Sequence, residues 1–181
     1  MDKYILAIDL GTTLIKFVLF NRDLALICEH SMPYRLDTKT EFIEFEAQNY
    51  WNRLQKGIGE ILQKSGIDSK RVASISLSSQ AETLVLLDQD NQPLRKAISW
   101  LDNRSQSECQ QIKNQFSPEE SYHITGQPEV ITTWPVTKII WIKKNEPGIF
   151  KRVHKFLLLK DYIVYKFTGR FMSEYSVYNY S

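Results

Sequence analysis

The sequence predicts an α/β protein built on a mixed sheet, and three observations carry that prediction. Two apolar runs, Tyr4 to Ile8 and Ile15 to Phe20, are joined so closely that they must be antiparallel neighbours. Asn21-Arg22-Asp23 makes a turn, and Leu24 to Ser31 reads as a third strand of the same meander. From Ala47 the period changes: Trp51, Leu54, Ile58, Ile61 and Leu62 recur at helical spacing, and Val72 to Ser78 then alternates as a strand does. Three antiparallel strands, a crossover helix and a further strand open a mixed α/β sheet.

The turn between the first two strands carries chemistry. Asp9 is delivered into a bend of Gly11, Thr12 and Thr13. Gly11 is expected to take a backbone conformation closed to residues with a Cβ, so that amide N–H groups approach an anion, and the threonines add hydroxyl donors. A carboxylate beside such a turn repels phosphate unless a divalent cation sits between them, and Mg²⁺ prefers oxygen ligands of this kind. A plain hairpin with an exposed Asp-Leu-Gly turn satisfies the same residues.

The remaining elements follow in order. Residues 33–46 read as polar loop. The helix from Ala47 stops at Lys64-Ser65-Gly66, and Gly57 and Gly59 each weaken it by about 1 kcal/mol relative to Ala. Leu84 to Leu87 is a strand, Asp88 to Gln92 turns it, and Ala97 to Trp100 is a further short run. Beyond Asn103 the chain reads as mostly helical, at 105–115, 118–124, 136–145 and 160–167, with a turn started by Pro147. No repeat or linker divides it, so it reads as one domain or part of one.

Composition narrows the function. The chain has 181 residues, 43% hydrophobic, enough for one sizeable core, and a formal net charge of +2. Its densest basic cluster, Lys151, Arg152, His154 and Lys155, is broken by Val153 and reads as a solvated helix face rather than a nucleic-acid patch. Cys28 and Cys109 lack metal or redox spacing and suit a reducing compartment. No signal peptide is visible after Met1, and no apolar run nears the roughly 18 residues of a membrane span. A cytoplasmic protein without membrane or nucleic-acid partners is expected.

Two further clusters stand out. Ser78, Ser79, Gln80, Ala81, Glu82 and Thr83 lie at a strand end, where ligand groups collect in α/β sheets. Trp100, Asp102, Asn103 and Arg104 place an aromatic, a carboxylate, an amide and a guanidinium just before a helix. Core packing for Trp100, a helix cap for Asp102 and an ion-pair partner in Arg104 are the readings that need no ligand.

The order of these motifs resembles the FGGY family of carbohydrate kinases. Asp-Leu-Gly-Thr-Thr at the N-terminus, Phe45-Glu46 before a Trp-bearing helix, Ser-Ser-Gln-Ala-Glu-Thr near 80 and Ala-Ile-Ser-Trp-Leu-Asp-Asn-Arg near 100 carry the likeness. It continues through Ile124-Thr125-Gly126, Thr137-Lys138, Asn145-Glu146-Pro147, the segment Phe156 to Tyr162, and Phe167-Thr168-Gly169. The resemblance implies a ribonuclease-H-like (actin-like ATPase) mixed sheet with flanking helices, here an incomplete N-terminal domain over residues 1–181. The ATP-binding C-terminal domain and the catalytic base are then expected beyond residue 181, and the piece alone is expected to be inactive.

By the same resemblance Asp9 acts with Mg²⁺ near the phosphate transferred from ATP, backed by Gly11, Thr12 and Thr13. Gln80, Ala81, Glu82, Trp100, Asp102 and Arg104 match substrate-side positions, with Thr133 and Trp134 aligned where glycerol kinases carry a substrate-contacting Tyr. Ala81, in place of an Arg, and Thr133 both depart from the glycerol pattern. The implied substrate is a sugar or polyol, with a pentulose such as xylulose favoured. A non-catalytic carbohydrate-binding module and an actin-like interaction module are the alternatives. Self-association is expected through open strand edges, the Val136, Ile139, Ile140 and Trp141 helix face, and the tail tyrosines 175, 178 and 180.

Overall fold

The computed structural model describes residues 3–36, 42–175 and 178. Within the expected loop 33–46, residues 37–41 lie outside the described residues, as do Met1, Ser176, Tyr180 and Ser181. The chain divides into two units: one comprises Met1–Leu36 and Gln48–Gln80, the other Asp37–Ala47 and Ala81–Ser181.

The first unit is the mixed sheet. β1 (Tyr4–Leu10) and β2 (Leu14–Phe20) are the expected antiparallel hairpin, and β3 (Leu26–Pro33) extends it. β4 (Glu44–Phe45) belongs to the second unit, and α1 (Ala47–Ser65) returns the chain so that β5 (Val72–Ser79) pairs parallel with β1. The strand order is β3-β2-β1-β5. Alternation decides which face is buried: Leu6, Ile8 and Leu10 of β1 stand opposite Leu19, Phe17 and Ile15 of β2, and all six are buried. Ala7 and Asp9 lie on the opposite face, where Asp9 is flanked by Lys16 of β2 and Ser78 of β5.

β3 begins two residues later than the sequence suggests. The Asn21 side chain accepts the N–H groups of Asp23 and Ala25 at 3.0 and 2.9 Å, and Leu24 adopts a φ of 58°, so the turn runs through Ala25. α1 ends at Gly66 with a φ of 68°, the left-handed stop expected there. Gly57 has a reason beyond propensity: a Cβ at this position would lie 2.2 Å from the Phe17 ring. The helix therefore packs against the sheet through a missing side chain. Gly57→Ala is expected to lower stability by about 1–3 kcal/mol despite alanine's better helix propensity, while Gly59→Ala, with nothing within 4 Å, should raise it; urea unfolding of the two variants distinguishes the effects.

The second unit contains an antiparallel sheet, of which the sequence shows the strand Leu84 to Leu87 and the short run from Ala97 but not the pairing or the other two strands. Its order is β4-β7-β6-β8, with β6 (Leu84–Leu87), β7 (Ala97–Ile98) and β8 (Lys155–Leu158). Two of its strands have only two residues, too short for alternation to register. β8 also starts inside the basic cluster, so Lys151 and Arg152 sit in a turn rather than on a helix face.

The helices fall close to expectation: α2 (Gln106–Gln115), α3 (Pro118–Thr125), α4 (Pro135–Asn145), α5 (Pro147–Phe150) and α6 (Leu159–Thr168). α3 is closed by a capping box, in which Ser117 Oγ accepts Glu120 N–H and Glu120 Oε2 accepts Ser117 N–H. Three of the four residues on the α4 face expected to be uncovered are partly buried and packed against the core. Ile139 and Trp141 pack with Leu84, Leu86, Ile98 and Ile142, and Val136 packs with Cys109, Val130 and Trp134. Of the tail tyrosines, Tyr175 is exposed, whereas the Tyr178 hydroxyl donates to Asp161 Oδ2 at 2.8 Å. Both cysteines are buried free thiols, and no helix among the described residues is long and apolar enough to cross a membrane.

Candidate functional site

The candidate residues fall into two groups, one in each unit. In the first, the end of β1 carries Asp9 into the turn of Gly11, Thr12 and Thr13. Asp9, Gly11 and Thr12 are half-buried and Thr13 is exposed. Gly11 is closed to a Cβ, as expected, without a left-handed φ. Its necessity is steric, because a Cβ would lie 2.6 Å from the Leu14 carbonyl oxygen. The turn is drawn tight across that point.

Behind the turn, three side chains from three elements meet on the Gly11 carbonyl oxygen. The Tyr34 hydroxyl donates to it at 3.2 Å, the Tyr50 hydroxyl at 3.3 Å and Gln80 Nε2 at 3.4 Å. Gln80 Nε2 also donates to the Tyr34 hydroxyl at 3.1 Å, and the two tyrosine rings meet edge to face with centroids 4.8 Å apart. Burial pushes the Tyr34 phenol up to about 12 against the Gln80 hydrogen bond. The Tyr50 phenol is raised further, by burial first, then by Tyr34 and Asp9. Gln80, expected on the substrate, thus reaches the Gly11 turn.

In the second unit, Ala81 is exposed and Glu82 stands half-exposed in the left-handed region with a φ of 63°. A non-glycine residue there stores strain of order 1–3 kcal/mol, tolerated only where the surroundings fix it. The next residue supplies that fixation. Thr83 is fully buried, its Oγ1 accepts the Trp100 N–H at 3.2 Å, and its carbonyl accepts the Leu159 N–H at 2.9 Å. Trp100 itself is half-buried.

Asp102 and Arg104 close on each other. Arg104 Nε donates to Asp102 Oδ1 at 2.8 Å and Nη2 to Oδ2 at 2.7 Å, a bidentate pair whose side chains are both 0% exposed. Arg104 Nη2 also meets Glu44 Oε1 at 2.6 Å, and the guanidinium lies 4.0 Å from the Phe42 ring centroid and 5.0 Å from that of Trp141. Glu44 is shared with Arg95, which reaches on to Glu146. Asp102 additionally accepts the N–H of Ile43 at 2.6 Å and of Arg104 at 3.0 Å. Burial pushes the Asp102 carboxyl up, but these bonds outweigh it and hold the group below its ordinary value. Asp102 therefore caps its own turn, whereas α2 starts after Ser105. The pair expected to face substrate is taken up by protein partners.

Trp134 has a similar fate, being 4% exposed and packed against Cys109 and Val130. Thr133 has a buried Oγ1 with no hydrogen-bond partner among the described residues, and its carbonyl accepts Lys138 Nζ at 2.8 Å. Lys138, quoted in the sequence only as part of the Thr137-Lys138 motif, is a further candidate. It is wholly buried, and burial pushes its amine down to about 8, with Glu82 and Asp102 pulling it up and Arg104 opposing them. Its signal was available: Trp134, Lys138 and Ile142 recur at four-residue spacing, which puts a lysine on a buried stripe.

The sequence profile of the FGGY family of carbohydrate kinases, N-terminal domain, matches residues 4–180. The xylulose kinase of Bacillus subtilis (strain 168) is 35% identical over 175 residues, covering 96% of this chain and 35% of that protein. Among solved structures, the gluconate kinase of Lactobacillus acidophilus superposes with a TM-score of 0.90 at 30% identity, covering 99% of this chain and 36% of that one. The ligand-bound xylulose kinase of the same organism gives 0.89 at 31%, covering 98% and 36%. The chain belongs to the FGGY family of carbohydrate kinases and has the ribonuclease-H-like, actin-like ATPase fold of its relatives. It spans about a third of the length of those relatives.

Proposed function

We propose that these residues form the substrate-side part of an ATP-dependent kinase that phosphorylates a sugar or polyol hydroxyl, with a pentulose such as xylulose the favoured acceptor. The observation that carries the reading is Asp9 beside a tight Gly-Thr-Thr turn whose Gly11 carbonyl is tied back by three donors. Mg²⁺ keeps most of its waters and takes one or two carboxylates together with phosphate oxygens, so a single Asp at a phosphate turn is a donor set that fits it. MgATP, when bound, supplies the phosphoryl group. Asp9 would hold the metal side of that group, and the Thr12 and Thr13 amides and hydroxyls would donate to its oxygens. Glu82 accepts a sugar hydroxyl, and Trp100 offers an apolar wall to the sugar carbons. Asp102, Arg104 and Trp134 act behind these groups, holding the loop in place.

Similarity to xylulose kinases supports the pentulose, and similarity to a gluconate kinase makes an aldonate the competing acceptor. The test is a coupled ADP assay on the product of the complete open reading frame, with pentuloses, hexuloses, aldonates and polyols. Turnover of xylulose above the others supports the reading, preference for gluconate replaces the acceptor, and no turnover of any acceptor overturns the kinase assignment.

Glu82 links strain to the same function. Glu82→Gly should raise stability by about 0.5–1 kcal/mol by relieving the left-handed backbone. The same change should weaken sugar binding by about tenfold or more through loss of a charge-assisted hydrogen bond. Thermal unfolding and calorimetric titration with the accepted sugar measure the two effects, and a variant less stable than the parent would show that no strain resides there.

A further inference from the structure

We propose that Tyr34, Tyr50 and Gln80 are positioning residues that orient and polarise the Gly11–Thr12 peptide so that its N–H is presented to an anionic phosphate oxygen. The inference rests on the phosphate-turn reading above and extends it to residues that touch neither phosphate nor sugar.

The geometry begins with the planar trans peptide. Its C=O and N–H point in opposite directions, so fixing the Gly11 oxygen on one side fixes the Thr12 N–H on the other. Glycine is the residue at which such a peptide plane turns over most readily. Left to solvent, the Gly11–Thr12 unit would sample both orientations. Three donors prevent this: Tyr34 from the segment after β3, Tyr50 from α1 and Gln80 from the end of β5.

A hairpin closed by its own strand ladder has no need of such convergence. Tyr34 and Tyr50 are 7% and 2% exposed, and both phenols stay protonated through neutral pH, so they remain donors wherever the protein works. Donors on a carbonyl oxygen draw charge from the amide and strengthen its N–H as a donor in turn. The clamp therefore acts on direction and on strength together. Gln80 has a second role in it, because its Nε2 bonds to the Tyr34 hydroxyl as well and so holds the phenol over the oxygen.

The test uses the product of the complete open reading frame. Tyr34→Phe and Tyr50→Phe keep the ring pair and remove one donor each. Each should lower kcat by about threefold to tenfold, and the double variant by about thirtyfold or more, with the sugar KM within about twofold. Gln80→Glu supplies a signature that packing alone would not give. An ionised carboxylate opposes the Gly11 oxygen, whereas a protonated one donates to it, so activity relative to the parent should recover as pH falls through the carboxyl range. Calorimetric titration with MgADP provides a readout independent of turnover and should show weaker binding in the double variant. Parent turnover with unchanged kcat in the double variant overturns the clamp alone, as does kcat falling in step with a rising sugar KM and a lost melting transition. A parent that binds MgADP without phosphorylating any sugar fails the kinase reading, and the clamp then stands or falls on whether the double variant weakens that binding. A parent that does neither overturns both.

Discussion

Asp9→Asn, made in the product of the complete open reading frame, is expected to lower kcat by about 10²–10³-fold while the sugar KM changes by less than about threefold. The asymmetry follows from where the charge acts. The Asp9 side chain leaves β1 on the face opposite the buried Leu6, Ile8 and Leu10, at the mouth of the Gly11 turn. Glu82 and Trp100, the groups assigned to the sugar, lie in the other unit. A carboxylate that meets the metal side of the phosphate interacts most strongly where charge develops in transfer, so its loss registers in the transition state and little in sugar binding. Asparagine is nearly isosteric and keeps one acceptor oxygen, so the sheet should be undisturbed. Raising Mg²⁺ should recover part of the lost rate if metal affinity is also reduced. A kcat within twofold of the parent would reduce Asp9 to a turn residue.

The first sheet was legible in the sequence because each of its strands is long enough to show its period. Seven residues each of β1 and β2 record which side is buried, and α1 carries its apolar stripe over nineteen. The second sheet was legible only in β6, because β4 and β7 have two residues each and β8 has four. Such strands are specified by what packs around them, and a window of sequence does not contain that. The side chains of the candidate site divide in the same way. Asp9 and the Gly-Thr-Thr turn are contiguous and declare themselves. The partners that give them direction, Tyr34 and Tyr50, lie 23 and 39 positions from Gly11 and look in sequence like ordinary aromatics.

Asp102 and Arg104 have partners that the sequence does not show. Adjacent polar residues before a helix suggest a ligand, yet the structure answers each charge internally. What betrays them is Glu44, nearly sixty residues earlier, and the rings of Phe42 and Trp141, which meet edge to face beside the guanidinium. Only the fold brings these together. Lys138 was legible by position on its buried stripe, but a lone lysine in an apolar face is also how a helix places a snorkelling side chain at its edge.

Arg104→Met is expected to be the most destabilising single change in the second unit, at about 3–5 kcal/mol. The guanidinium is 0% exposed and neutralises two carboxylates, Asp102 at 0% and Glu44 at 17% side-chain exposure. Removing it leaves Asp102 buried without its ion-pair partner, while Glu44 keeps Arg95, and that unbalanced charge, more than the lost hydrogen bonds, sets the magnitude. The pH dependence separates this from a packing defect. In the parent, Asp102 is held below its ordinary carboxyl value, so its contribution is present above the unfolded value and fades as pH falls through the folded one. In the variant the same carboxyl, now without its cation, titrates higher and is relieved by protonation. The stability gap should therefore be widest at neutral pH and narrow steadily toward acid. Asp102→Asn should cost less, because the amide oxygen still accepts from Ile43 while Arg104 retains Glu44, and combining both changes should recover roughly 0.5–3 kcal/mol relative to the sum of the singles. Denaturant melts of the four proteins at neutral and acid pH measure every term. A gap that is constant with pH, or singles that simply add, would mean that Arg104 acts as a filler between Phe42 and Trp141 and that its charge holds nothing in place.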